Sequence, residues 1–170
     1  MKTWFITGAS RGFGALFVKE ALDRGDNVVA AARNPQVLAE KFGARPNLLA
    51  IKLDVTNEEQ AREAVRQTVE RFGRIDVLIN NAGFGVLGAV EEISGAEVEA
   101  VYRTNVFGRS RSRALLCRNY AVKVRGTSSI SLRSPGIKAL LAGASMPRRS
   151  SRWRASPKDW LWKLSLWASR

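Results

Sequence analysis

The chain has 170 residues, enough for one domain with a sizeable core and too few to expect two. Its formal charge of +13 is one-sided: residues 1–108 carry 13 Lys and Arg against 14 Asp and Glu, whereas residues 109–170 carry 15 against a single acid, Asp159. One cysteine, Cys117, and no histidine exclude a disulfide framework, a metal site built on cysteine or histidine, and Ser-His-Asp catalysis.

No apolar stretch at the N-terminus is long enough for a signal peptide or a membrane span, so a cytoplasmic location is expected. Trp4 to Thr7 reads as a short strand closed by Gly8, and Ala15 to Arg24 repeats its apolar residues at helical spacing until Gly25. Asn27 to Ala32 is a second, buried strand; Asn34-Pro35 turns into a helix from Gln36 to Phe42. Leu48 to Leu53 is a third strand. A helix from Glu58 to Phe72 follows an Asp-Val-Thr-Asn start and stops at Gly73, and Val77 to Asn80 is a fourth strand. The alternation predicts a doubly wound parallel α/β sheet. Ala96 to Val106 begins another helix, expected to pack on the sheet through Val98, Val101, Tyr102 and Val106.

Beyond Gly108 the pattern changes. Arg and Ser alternate from Arg109 to Arg113, small polar residues fill Gly126 to Ser134 without a core-forming period, and Ala139 to Ala144 is apolar but short. Pro147 to Arg154 suits a loop or disorder, and Trp160 to Trp167 holds three of the five tryptophans. Residues 1–108 are therefore expected to hold the sheet, and residues 109–170 to form an irregular or disordered basic tail with no domain of its own.

The residues that carry chemistry cluster at strand ends. Thr7-Gly8-Ala9-Ser10-Arg11-Gly12-Phe13-Gly14 lies between strand and helix, where glycines let backbone approach a pyrophosphate at a helix N-terminus. Asp54-Val55 follows the third strand and Asn80-Asn81-Ala82-Gly83 the fourth, both at the carboxyl edge where open α/β sheets bind ligands. Asp54 has a plainer alternative, as a cap for the next helix. At the end of the second strand stands Arg33, not the carboxylate that would receive a ribose 2′-hydroxyl. With Arg11 it offers two guanidiniums to a 2′-phosphate, so NADP(H) is expected over NAD(H), unless both are ordinary surface arginines.

These four motifs, T-G-x-x-x-G-x-G, D-V, N-N-A-G and Asn105, resemble the short-chain dehydrogenase/reductase family in order and spacing from Lys2 to Gly108. The resemblance implies a Rossmann-like fold, incomplete here, with residues 1–108 as its NADP(H)-binding half. It places Asp54 and Val55 beside the adenine ring, Asn81, Ala82 and Gly83 along the cofactor cleft, and Asn105 in a supporting catalytic role. It also implies hydride transfer between the cofactor and an alcohol or carbonyl substrate. The family's catalytic set is a serine, a tyrosine thirteen residues later and a lysine four beyond it, the lysine lowering the tyrosine's pKa. Here no tyrosine has that lysine: Tyr102 and Tyr120 are the only two, and Val124 stands four after Tyr120. Turnover is expected to be impaired. Substrate and oligomeric state are not legible, because family members build both largely from the other half of the domain.

A shifted reading frame accounts for the motif's loss and the gain of arginine together. Taking the third base of each codon with the first two of the next, Thr127 to Gly136 permits His-Ile-Ile-Asn-Leu-Ser-Ser-Val-Ala-Gly, the way the family's serine strand commonly reads. Ser145 to Arg152 permits Ile-Tyr-Ala-Ala-Thr-Lys-Phe-Ala, with the first alanine forced by ATG of Met146 before CC of Pro147. Serine, tyrosine and lysine then fall at the places of Arg133, Met146 and Ser150, spaced as the family requires. A competing function is a non-catalytic module whose tail, with Trp160, Trp162 and Trp167 beside Lys158 and Lys163, contacts nucleic acid or an anionic membrane. The frame shift explains the same composition without either partner. A third outcome is an unfinished sheet with a bare edge and low stability.

Overall fold

The computed structural model describes residues 1–89, 91–110, 112 and 114, and the backbone of 128–131. All the described residues fall within one compact unit. Cys117, Tyr120 and the segments Ala139 to Ala144, Pro147 to Arg154 and Trp160 to Trp167 lie outside the described residues, as do the expectations attached to them.

Five parallel strands form one sheet in the order β3-β2-β1-β4-β5, with β1 at Thr3–Thr7, β2 at Asn27–Ala32, β3 at Leu48–Lys52, β4 at Val77–Asn80 and β5 at Ser128–Ser131. The helices α1 (Gly12–Asp23), α2 (Gln36–Phe42) and α3 (Glu58–Phe72) alternate with the strands, as the sequence predicts. Strands β1, β2 and β4 are buried almost throughout, which is why they read as unbroken apolar runs. Phe5, Val29, Ala31, Ile51 and Leu78 turn to one face, where Ala61, Ala64 and Val65 of α3 pack on them. Trp4, Ile6, Val28 and Ala30 alternate to the other face, and α1 packs on β1 and β2 through Phe17, Val18, Ala21 and Leu22.

Two carboxylates tie down the amino ends of the strands. Asp26 accepts from the Lys2 backbone N–H at 2.7 Å and from Trp4 Nε1 at 2.9 Å, and Asp76 accepts from the Thr3 N–H at 2.7 Å. Helix α3 is bounded by its own chemistry: Asn57 Oδ1 accepts from the Gln60 N–H at 3.0 Å, and Gly73 closes the helix at φ 77°.

Two features lie beyond the predicted elements. Past β4 the sheet carries a further strand, β5, which pairs with it in parallel register from Val77↔Ser128 to Asn80↔Ser131. A Ser-Ser-Ile-Ser run has little strand propensity of its own; pairing to a formed neighbour supplies what propensity does not. Further, the helix expected to bury Tyr102 and Val106 leaves them 55% and 40% exposed. It begins as α4 (Gly95–Tyr102), with Ser94 and Glu97 forming a reciprocal cap, and passes into π-helical turns at Arg103–Gly108. The inward positions are Val101, Asn105, Gly108 and Ser112, at helical spacings of four, three and four, so Tyr102 and Val106 fall to the side of that face. Val101 is buried as expected and Val98 half-buried. Among the described residues no helix is long and apolar enough to cross a membrane.

Candidate functional site

The strand order reverses direction of growth at β1, with β2 and β3 to one side and β4 and β5 to the other. A crevice at the carboxyl ends of β1 and β4 follows from that topology, and the turn from Thr7 to Gly14 forms its floor. Gly8 and Gly12 take positive φ, 65° and 56°. A Cβ on Gly14 would lie 2.2 Å from Gly8 O and 2.6 Å from Asn81 Nδ2, so only glycine lets α1 start against the turn. A Cβ on Gly12 would meet nothing within 4 Å, so the turn is open on that side.

Helices α3 and α4 carry side-chain caps, whereas Arg11 at the start of α1 is extended and provides none, and no acid lies in the first turn of α1. The first N–H groups of α1 therefore remain available to an anion, beside the positive end of the helix dipole. Ala9 N–H donates to Ala31 O at 3.1 Å, fastening the turn to the end of β2 and setting Ser10 and Arg11 near Arg33. Both arginines are exposed, and among the described residues neither forms an ion pair with a carboxylate. Phe13 is exposed and stacks on Phe17, its ring centroid 6.5 Å away.

Thr7 organises the opposite wall. Its buried hydroxyl accepts from the Asn81 and Ala82 N–H groups at 3.1 and 3.0 Å and donates to Ile79 O at 3.3 Å. Asn81 Nδ2 donates back to Thr7 O and Gly8 O at 3.2 and 3.0 Å, locking the loop after β4 onto the glycine turn. Asn105, 4% exposed, grips Phe84 from both sides: its Oδ1 accepts from the Phe84 N–H at 3.1 Å and its Nδ2 donates to Phe84 O at 2.7 Å. A Cβ on Gly83 would stand 2.8 Å from Asn105 Oδ1, so this approach also needs glycine.

On the β3 side, Asp54 does not cap α3, since Asn57 does. Its Oδ1 accepts from the N–H and hydroxyl of Thr56 at 2.9 and 2.7 Å, and its own N–H donates to Gln60 Oε1 at 2.9 Å. The Thr56 hydroxyl holds the Asp54 carboxyl below the usual carboxylate range, with the Thr56 N–H and the charge of Arg33 adding to the effect. Val55 is buried and lies against Gly108, where a Cβ would come within 2.9 Å of its Cγ2.

The structure thus brings Gly8, Ala9, Ser10, Arg11, Gly12, Phe13, Gly14 and Arg33 to one side of the crevice. Asn81, Ala82, Gly83 and Asn105 stand at the other, and Asp54 and Val55 at the loop after β3. Sequence reasoning passed over two residues. Thr7 offered a signal, a β-branched hydroxyl at a strand end opposite an Asn-Asn pair. Lys41, whose Nζ donates to Ser10 O at 3.3 Å across 31 residues of sequence, offered none.

A family model described as short chain dehydrogenase matches residues 2–130. Oxidoreductase BOA17 of Botryotinia fuckeliana is 44% identical over 110 residues, which is 63% of this chain and 40% of the relative. The 3-ketodihydrosphingosine reductase of Bacteroides thetaiotaomicron is 41% identical over 103 residues, 61% of this chain and 36% of that protein. Each alignment is close in length to the stretch that precedes the change in composition at Gly108, and the chain spans less than half the length of these relatives. Among solved structures, a short-chain dehydrogenase from Streptomyces avermitilis superposes with a TM-score of 0.70 at 34% identity, covering 81% of this chain and 53% of that one. ElxO with NADP bound superposes at 0.67 and 28% identity, covering 75% and 54% of the two chains. A 3-ketoacyl-(acyl-carrier-protein) reductase from Brucella melitensis complexed with NADH superposes at 0.66 and 29%, covering 70% and 50%. The motifs, the sheet order and these matches agree: the chain belongs to the short-chain dehydrogenase family.

Proposed function

We propose that this chain binds NADP(H) in the crevice and derives from an oxidoreductase that interconverts an alcohol and a carbonyl, with its own turnover impaired. The observation that carries the cofactor choice is exposed Arg33 just past the end of β2, where a carboxylate would receive a ribose 2′-hydroxyl, together with exposed Arg11 at the uncapped start of α1. Gly12 gives the pyrophosphate room while Gly8 and Gly14 let the turn close on Ala82 and on the start of α1, Asp54 and Val55 border the adenine, and Asn81, Ala82 and Gly83 line the path toward the nicotinamide. The bound dinucleotide supplies the hydride. Asn105 positions the backbone of Phe84 at the mouth of the crevice, but no tyrosine in the chain has a lysine four residues beyond it to hold the proton in play. A reducing compartment, the cytoplasm, suits such a protein.

The shifted frame explains that loss. Strand β5 falls where the offset codons permit Ile-Ile-Asn-Leu, two residues ahead of the recovered serine at the place of Arg133. The same frame accounts for the tail's tryptophans. Each TGG divides into a codon ending in TG, which in this tail reads Leu, Val or Met, and one beginning with G; before Trp160, the third base of Asp159 forces leucine. The tryptophans then mark apolar residues of the offset frame and require neither a membrane nor a nucleic acid, and the segment on which that alternative rests lies outside the described residues.

Titration of the purified chain with NADPH and NADH, followed by NADPH oxidation with a panel of carbonyl compounds, tests both parts. Tighter binding of NADPH with turnover far below the ~10 per second of ordinary enzymes is expected. Ordinary turnover would overturn the impairment, and tighter binding of NADH the cofactor choice. Insertion of one nucleotide between the codons for Gly108 and Arg109 is expected to restore Ser and Tyr-x-x-x-Lys; a gene whose offset codons spell neither refutes the shifted frame.

A further inference from the structure

Lys41 lies in the last turn of α2, exposed, yet its ammonium spans 31 residues of sequence to donate to Ser10 O at 3.3 Å. Four other helix cations are taken up locally, Lys19 by Asp23, Arg24 by Glu20, Arg62 by Glu58 and Arg66 by Glu63, whereas Arg71 of α3 also reaches a distant carbonyl, Pro46 O at 3.1 Å, but on the side of the loop before β3. Among the described residues Lys41, like Arg11 and Arg33, has no carboxylate ion pair. A lysine ammonium has three N–H donors, so the bond to one neutral carbonyl leaves donors for a second acceptor. The backbone brings the three cations together. Ala9 is fastened to Ala31 at the end of β2, Arg33 stands two residues on, and Lys41 closes on Ser10 from the α2 side. Gly12, where a Cβ would meet nothing within 4 Å, leaves room for a pyrophosphate at the start of α1.

We propose that Lys41 is a specificity-determining residue of the crevice, the third cation of a pocket for the cofactor's 2′-phosphate, completing the set begun by Arg11 and Arg33. This rests on the NADP(H) reading above. Two guanidiniums offer flat, paired donors, and the ammonium adds a compact charge from a different direction, so three oxygens of one phosphate are met from three sides.

The test is calorimetric titration of the full chain with adenosine 2′,5′-bisphosphate and with AMP, which differ only in the 2′-phosphate. Lys41→Gln should weaken the bisphosphate about five- to tenfold, in line with an exposed charge-assisted hydrogen bond, and leave AMP within about twofold. Lys41→Arg should recover most of the loss. Equal weakening of both ligands would reduce Lys41 to a prop for the Ser10 turn, and no weakening of either would remove it from the site; both results overturn the proposal. A parent chain that binds the two ligands equally, with Arg33→Ala also without effect, would instead remove the NADP(H) reading and the inference with it. Thermal unfolding of each variant distinguishes lost binding from lost folding.

Discussion

Substitution of Gly14 by alanine sets two effects of opposite sign against each other. Gly14 is the third residue of α1, and replacing a helical glycine by alanine ordinarily stabilises by about 1 kcal/mol. Here the added Cβ would stand 2.2 Å from Gly8 O and 2.9 Å from Gly8 C, both backbone atoms, and 2.6 Å from Asn81 Nδ2. Asn81 is itself fixed by bonds to Thr7 O and Gly8 O, so no flexible side chain can yield. Overpacking of this kind costs up to about 3 kcal/mol. The clash should win, with a net loss of about 2 kcal/mol and a melting temperature about 4–8 °C lower for a chain of this length. Moving the Gly8 carbonyl also displaces the turn, so NADPH affinity should fall more than tenfold. Gly12→Ala is the internal control: nothing lies within 4 Å of its Cβ, leaving only the strain of φ 56°, about 1 kcal/mol. Thermal unfolding and NADPH titration of both variants decide the matter. A Gly14→Ala chain that melts at or above the parent would refute the tight approach of α1 to the turn.

Thr7→Val keeps the shape of a buried residue but leaves the Asn81 and Ala82 N–H groups without their acceptor, and should cost about 2–4 kcal/mol in urea unfolding; a loss under about 0.5 kcal/mol would show that water replaces the hydroxyl. Asn105→Asp keeps the acceptor for the Phe84 N–H but puts an anion against Phe84 O, 2.7 Å from the present donor. That carboxyl would fold best protonated, so its folded pKa is raised. The destabilisation should be large at pH 7 and shrink on acidification, and a pH-independent loss would contradict the orientation of the amide. The native Asp54 behaves oppositely. Its folded pKa is lowered, chiefly by the Thr56 hydroxyl, so its contribution is present above the usual carboxylate range and fades as pH falls through the depressed value. Asp54→Asn should flatten the acid limb of the stability profile, and an unchanged limb would assign acid sensitivity to other carboxylates.

Much of this molecule is legible in its sequence because most of its elements are bounded by residues with one job. Continuous apolar runs mark β2 and β4, Asn57 and Gly73 delimit α3, and Pro35 precedes α2. The glycine turn, the Asp54 loop and the Asn81–Gly83 loop carry motifs whose order alone places them at one edge of a parallel sheet. The remainder depends on partners that no local pattern names. Strand β5 exists by pairing with β4, Lys41 is defined by a carbonyl 31 residues earlier, and Tyr102 and Val106 lose their places in the core to a face formed by Val101, Asn105, Gly108 and Ser112.

The inner face of that last helix matters for anyone rebuilding the protein. After Val101 it is carried by Asn105, Gly108 and Ser112, an amide, a bare backbone and a hydroxyl, while Tyr102, Val106 and Phe107 stand outside it. A redesign that ranked these positions by hydrophobicity would therefore enlarge the wrong side. Bulk introduced at Gly108 would meet the backbone of Val55, and an apolar residue at Asn105 would release both polar groups of Phe84.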